Sequence, residues 1–232
     1  GADAVKIQTY TPDTITIDHN GPEFTIKSGL WAGQTLYELY ERAHTPWEWH
    51  EALFNKASEV GIDIFSSPFD RSAVDFLESL NAPAYKIASL EIVDHGLIAA
   101  AAETKKPLII STGLASVNEI QEAIEVAKKS GATEICILHC TSGYPTPFSE
   151  TNLNNIPDLI SKFNTIAGLS DHTTGIAASI AAITLGASMI EKHFTLDQKD
   201  GGVDSSFSIN PDELKIICTT INETYEALGE VN

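Results

Sequence analysis

The stretch "GLSDHTTG", residues 168–175, places Ser170, Asp171, His172, Thr173 and Thr174 directly after an apolar run. Twenty-one residues after His172, His193 closes another such run, "SMIEKHF". That spacing is one strand plus one helix, so the two histidines end neighbouring strands, which lie about 4.8 Å apart. Two imidazoles placed in this way reach one metal ion with bonds of about 2.1 Å. Two separately hydrogen-bonded core histidines fit the same pattern.

Lys6 and Lys86 interrupt the apolar runs "AVKIQ" and "AYKIAS". Removing an ammonium from water is costly unless an anion compensates it. That anion is either a carboxylate of the chain or a bound phosphate or carboxylate ligand. The hydroxyls of Ser67, Ser89, Ser111 and Ser170, all at ends of apolar runs, favour the ligand. Glu91, in "YKIASLE", is near enough in sequence to Lys86 and Ser89 to act as a general acid or base, or to pair with a lysine. Trp31, Trp47 and Trp49, together with the turn-rich "TIDHNGPEFTIKSG", suit a lid over a site; helix packing is the plainer reading for Trp47 or Trp49.

These residues hang on a repeated unit. Seven apolar runs, at 4–8, 63–68, 84–89, 107–112, 135–140, 165–170 and 188–194, alternate with amphipathic stretches. After the first, the starts fall at roughly the spacing of a βα unit. Thr45-Pro46 with Glu48, Ser116 with Glu119, and Asn210-Pro211 with Glu213 carry helix-start chemistry. The alanine-rich "GLIAAAAETKK" and "GIAASIAAITLG" suit helices packed closely on a sheet. Unbroken apolar strands joined by helices predict a parallel α/β sheet, either a closed (β/α)8 TIM barrel or an open doubly wound sheet. No GxGxxG or GxxxxGK[ST] follows a strand. Ser66, Ser67, His139, Lys192 and the candidates above all fall at strand C-terminal ends, which a barrel gathers around one mouth. The barrel is therefore expected, as a single catalytic domain over 1–232. Because seven runs are one short of eight, the first strand and helix are expected upstream of Gly1.

The length of 232 residues and the 43% hydrophobic content suit one large core. The formal charge of −18 argues against nucleic acid or an anionic membrane as partner, though not against a small anion in a cleft lined by lysines. Three cysteines, Cys136, Cys140 and Cys218, have no paired metal spacing and suit a reducing cytoplasm. Cys136 and Cys140 read as small apolar residues of a strand.

Taken together, "ADAVKIQTY", "FSSPFD", "AYKIASLE", "IISTGLAS", "HCTSGYPTP", "GLSDHT" and "IEKHFT" resemble, in order, the successive blocks of the sialic acid synthase family. "LYELYERAHTPWEWH" is similar to that family's pseudaminic acid branch. The resemblance implies condensation of phosphoenolpyruvate with an amino-sugar aldehyde, specifically a 2,4-diacetamido-2,4,6-trideoxy hexose, on a homodimeric TIM barrel. It implies that Lys6, Ser67, Lys86, Ser89, Ser111 and Ser170 hold phosphoenolpyruvate and that Glu91 is the acid/base residue. It further implies that His172 and His193 bind Mn²⁺, Mg²⁺ or a similar divalent ion, and that Tyr144 and Asp204 contact the sugar. Ser142 stands where the neuraminate branch has asparagine, so its contact is altered for a different sugar. Asp171 and Thr173 are expected to orient Ser170 and His172. The resemblance also implies a glutamate-bearing block on an upstream strand and a small antifreeze-like domain after the barrel. The rival functions are N-acetylneuraminate or legionaminate synthesis, another phosphoenolpyruvate-dependent aldol synthase, a metal-dependent hydrolase, and a binding-only barrel.

Overall fold

A computed structural model describes residues 1–230. The described chain divides into two compact units, one formed by Ala4–Tyr85 and the other by residues 1–3 with 86–230.

In the first unit, β1 (Ala4–Thr9) is followed by the helices α1 (Pro12–Ile15), α2 (Leu36–Ala43) and α3 (His50–Val60). Next come β2 (Asp63–Pro68), α4 (Arg71–Ser79) and the start of β3 (Tyr85–Ile87). β1 pairs in parallel with β2, with Lys6 opposite Phe65 and Gln8 opposite Ser67, and β2 pairs with β3 at Ser66 and Tyr85. Side chains alternate along a strand, so Lys6 and Ser67 share one face, while Thr9 and Ser66 share the other. That second face lies under α3. The Thr9 hydroxyl lies 2.7 Å from both His50 Nε2 and Ser66 Oγ, and all three residues are fully buried. Ser66, expected at the mouth with Ser67, therefore belongs to the helix-facing side.

In the second unit, β3 leads to α5 (His95–Glu103), β4 (Leu108–Ser111), α6 (Val117–Lys129), β5 (Ile135–Cys140) and α7 (Asn155–Phe163). β6 (Ile166–Asp171), α8 (Ala177–Thr184), β7 (Ile190–Lys192) and α9 (Pro211–Leu228) complete it. The order is β3-β4-β5-β6-β7. An open doubly wound sheet would reverse its order at a switch point; strands that follow one another without reversal are the barrel arrangement.

Local chemistry explains these boundaries. Ser116 with Glu119 and Asn210 with Glu213 form reciprocal capping boxes at the starts of α6 and α9. The expected start at Thr45-Pro46 is different: Pro46 precedes a single 3-10 turn, Trp47–Trp49, with no side-chain cap, and α3 begins at His50. Thr35 with Glu38 supplies the capping box upstream, for α2. Trp47 stacks on Phe76 with ring centroids 4.9 Å apart and donates from Nε1 to the Tyr10 carbonyl, so it packs on a helix; Trp49 is exposed. Gly168 brings β6 close to β7, because a Cβ there would strike the Met189 carbonyl oxygen. The two strands that lead to His172 and His193 are thus tied tightly together.

Candidate active site

The ends of β6 and β7 carry Ser170, His172 and His193. Ser170 and Glu191 are opposite one another in the ladder, and Asp171 is opposite Lys192. Alternation turns Ser170 and Glu191 to one face and Asp171 and Lys192 to the other. On the first face, Glu191 Oε1 lies 3.3 Å from Lys86 Nζ and accepts the Ser170 hydroxyl at 3.0 Å. Lys86, with 3% of its side chain exposed, therefore has a carboxylate partner inside the chain. Sequence reasoning left that possibility open but did not single out Glu191. The signal was an acid set inside the apolar run "SMIEKHF".

His172 follows at once. Its Nδ1 lies 2.9 Å from the Thr141 carbonyl oxygen, which only accepts, so Nδ1 carries the hydrogen, while Nε2 lies 3.5 Å from the Ser170 hydroxyl oxygen. His193 Nδ1 lies 3.2 Å from Asp204 Oδ2 and is likewise the donor, which leaves Nε2 open. The two ring centroids are 5.3 Å apart. Tyr144 lies against both, at 4.4 Å from His172 and 5.9 Å from His193, and Phe207 closes on Tyr144 and His193. The expected pair of neighbouring imidazoles is therefore present, each with its orientation fixed by an oxygen.

This donor set fits a divalent first-row ion: two imidazole nitrogens, with water and ligand oxygens as the remaining donors. Among the described residues no group of three or more His, Cys, Asp or Glu side chains is arranged to hold a metal. His172 and His193 are the pair that could hold such an ion.

The hydroxyls divide into those satisfied by the protein and those that are not. Ser170 is bonded to Glu191, and Ser89 lies 3.4 Å from Ser142. Gly113 lies so close to Ser89 that a Cβ would strike the Ser89 Cβ, and its φ of +49° is a left-handed backbone. Ser111, at the end of β4, is 1% exposed, and its Oγ has no hydrogen-bond partner among the described residues; the same holds for Ser67 in the first unit. A buried hydroxyl left unbonded costs free energy, which a hydrogen bond to a ligand or an ordered water would offset.

A family model for the NeuB family matches residues 1–232. The chain belongs to the NeuB family. It is 46% identical over 230 residues to a pseudaminic acid synthase of Campylobacter jejuni, covering 99% of this chain and 67% of that protein. It is also 46% identical over 230 residues to a pseudaminic acid synthase of Helicobacter pylori, covering 99% of this chain and 68% of that one. Among solved structures, an N-acetylneuraminic acid synthetase of Leptospira borgpetersenii, in complex with citrate, superposes with a TM-score of 0.88 at 30% identity, covering 100% of this chain and 76% of that one. The fold class is that of these NeuB-family barrels.

Other expected residues take more individual positions. Glu91 lies in a 3-10 turn, Glu91–Val93, just after β3. Burial pushes its carboxyl above the usual carboxylate range; Asp94 adds to the rise, while a backbone hydrogen bond and the Lys86 charge oppose it. Cys136 and Cys140 are buried in β5, where burial pushes the Cys136 thiol up to about 11, so both serve as small apolar residues. Lys192 is turned away from Glu191 and pairs with Asp171 at 2.9 Å. Lys192 is the last residue of β7, the expected strand end, with its side chain on the face opposite Glu191.

Proposed function

We propose that this chain condenses phosphoenolpyruvate with 2,4-diacetamido-2,4,6-trideoxy-altrose to give pseudaminic acid and phosphate. The observation that carries the reading is the junction of two kinds of site on adjacent strands. Ser170 lies two residues before His172, and Glu191, the partner of Lys86, lies two residues before His193. The Lys86–Glu191–Ser170 cluster thus adjoins a pair of imidazoles that are each oriented through Nδ1.

In the reaction, carbon 3 of phosphoenolpyruvate attacks the aldehyde carbon, and the aldehyde oxygen takes up a proton. Water adds at carbon 2, loses a proton, and the bond from carbon 2 to the phosphate oxygen breaks. Lys86 compensates substrate negative charge, with Ser89, Ser111 and Ser170 as hydroxyl donors; Lys6 and Ser67 have the same role in the first unit. Glu91, held above the usual carboxylate range, is poised to take the proton from the adding water. Tyr144, Ser142 and Asp204 receive the sugar. His172 and His193 would hold a divalent ion, manganese or magnesium, which would supply Lewis-acid polarisation of the aldehyde. Most of the acceleration is positioning and charge stabilisation.

A homodimer and a cytoplasmic location belong to the same proposal. The three free cysteines suit that location, and among the described residues no helix is long and apolar enough to cross a membrane. The test is incubation with phosphoenolpyruvate, Mn²⁺ and either this sugar or N-acetylmannosamine, reading phosphate release and product mass. Faster turnover with the altrose sugar is expected. Faster turnover with N-acetylmannosamine would assign the chain to the neuraminate branch.

A further inference from the structure

Lys192 is the one residue of β7 between Glu191 and His193, and the reaction as described has no use for it. Its ammonium is nearly buried, with 6% of the side chain exposed, and the Asp171 side chain is fully buried. Lys192 Nζ donates to Asp171 Oδ2 at 2.9 Å and to the Thr173 carbonyl oxygen at 2.7 Å. Asp171 and Thr173 are the residues immediately before and after His172. Asp171 Oδ1 in turn accepts the backbone N–H and the hydroxyl of Thr173, both at 2.8 Å, closing a loop around His172. Oδ2 also accepts the Ser179 hydroxyl from α8 at 2.6 Å. Four donors fill the carboxylate's acceptor capacity.

We infer that Lys192, acting through Asp171, is a positioning residue that sets His172 relative to His193. The ammonium bonds both flanks of His172 and is itself adjacent to His193, so the separation of the two imidazoles is fixed by one side chain. A buried ion pair is weak evidence for stability, because removing two charges from water offsets much of their attraction. A pair that instead holds two strand ends in register has a reason to be where it is. Partners behind metal-binding imidazoles alter metal affinity by about 10–100-fold when removed. The inference rests on the metal reading of His172 and His193.

The test is Mn²⁺ binding, read from the loss of the free-ion electron paramagnetic resonance signal, on the purified protein without substrates. The variants are Lys192→Met, the double variant Asp171→Asn with Lys192→Met, and His172→Ala as a control, each with its thermal melt recorded. The double variant leaves no orphan charge, so it keeps the test open if Lys192→Met does not fold. Folded double variant binding Mn²⁺ about 10–100-fold more weakly than wild type supports the inference. Wild-type Mn²⁺ affinity in the folded double variant, whatever its melting temperature, overturns it. Failure of the wild-type protein itself to bind Mn²⁺ overturns the metal reading, and the inference with it.

Discussion

Lys86 Nζ lies 3.3 Å from Glu191 Oε1, and the same oxygen accepts the Ser170 hydroxyl at 3.0 Å. A lysine proposed to meet a substrate anion is thus held by an internal carboxylate. Breaking a buried pair from one side costs about 3–5 kcal/mol, since the partner is left charged and dry. Lys86→Met is expected to lose stability of that order and to lose phosphoenolpyruvate binding. Adding Glu191→Gln should restore most of the stability but not the binding. Urea denaturation and titration calorimetry separate the two effects; binding recovered in the double variant would show that Lys86 serves only the pair.

Ser67 and Ser111 give the opposite signature. Both hydroxyls are buried without a partner among the described residues. Alanine there removes an unsatisfied group, so stability is expected to be unchanged or to rise by about 1 kcal/mol. A hydrogen bond to a charged ligand is worth about 1.5–3 kcal/mol, so the KM for phosphoenolpyruvate should rise about 10–100-fold. A large loss of stability with an unchanged KM would place these hydroxyls in the fold rather than the site.

Glu91 should govern the acid limb of the rate profile. Burial raises its pKa, and a carboxyl that takes a proton from water must first be ionised. The rate is therefore expected to rise with pH through a midpoint above the usual carboxylate range. Glu91→Gln should erase that limb and slow turnover by about 10²–10⁴-fold. An unchanged limb in Glu91→Gln would assign it to another group.

How much of this was legible beforehand depends on which atoms do the work. β2 and β5 were readable to the residue because their apolar runs have sharp polar edges; β3 and β7 are only three residues long, shorter than the runs that announced them. The histidine pair was legible from its one-unit spacing. Lys192 was legible as a strand end, and period-2 alternation around Glu191 and His193 turns it to the other face. The Thr141 carbonyl that sets the His172 tautomer had no signal, since every residue has a carbonyl. Glu191 was hidden by its neighbours: between an apolar run and "KHF", it reads as the polar end of a strand.

His50 predicts how the first unit responds to acid. Its Nδ1 donates to the Pro46 carbonyl at 3.1 Å, its Nε2 meets the Thr9 hydroxyl, and burial lowers its pKa against smaller opposing effects of backbone hydrogen bonds. The folded pKa lies below the unfolded value of about 6.5, so acid protonates the unfolded chain first. The contribution of His50 to stability is full above about pH 6.5 and falls as the pH drops toward the folded pKa. The stability difference between wild type and His50→Gln should therefore shrink on acidification, which denaturant melts across that range will show. A pH-independent difference would mean that His50 is protonated equally in both states.

Phosphoenolpyruvate labelled with ¹⁸O at the oxygen bridging carbon 2 and phosphorus gives the most direct measurement. If carbon 3 forms the new bond and water adds at carbon 2, the bond from carbon 2 to that oxygen breaks. Mass spectrometry should then find the label in the released phosphate, with phosphate appearing only when the sugar is present. Label retained in pyruvate, released without sugar, would mean cleavage at phosphorus by a hydrolase and would contradict the account.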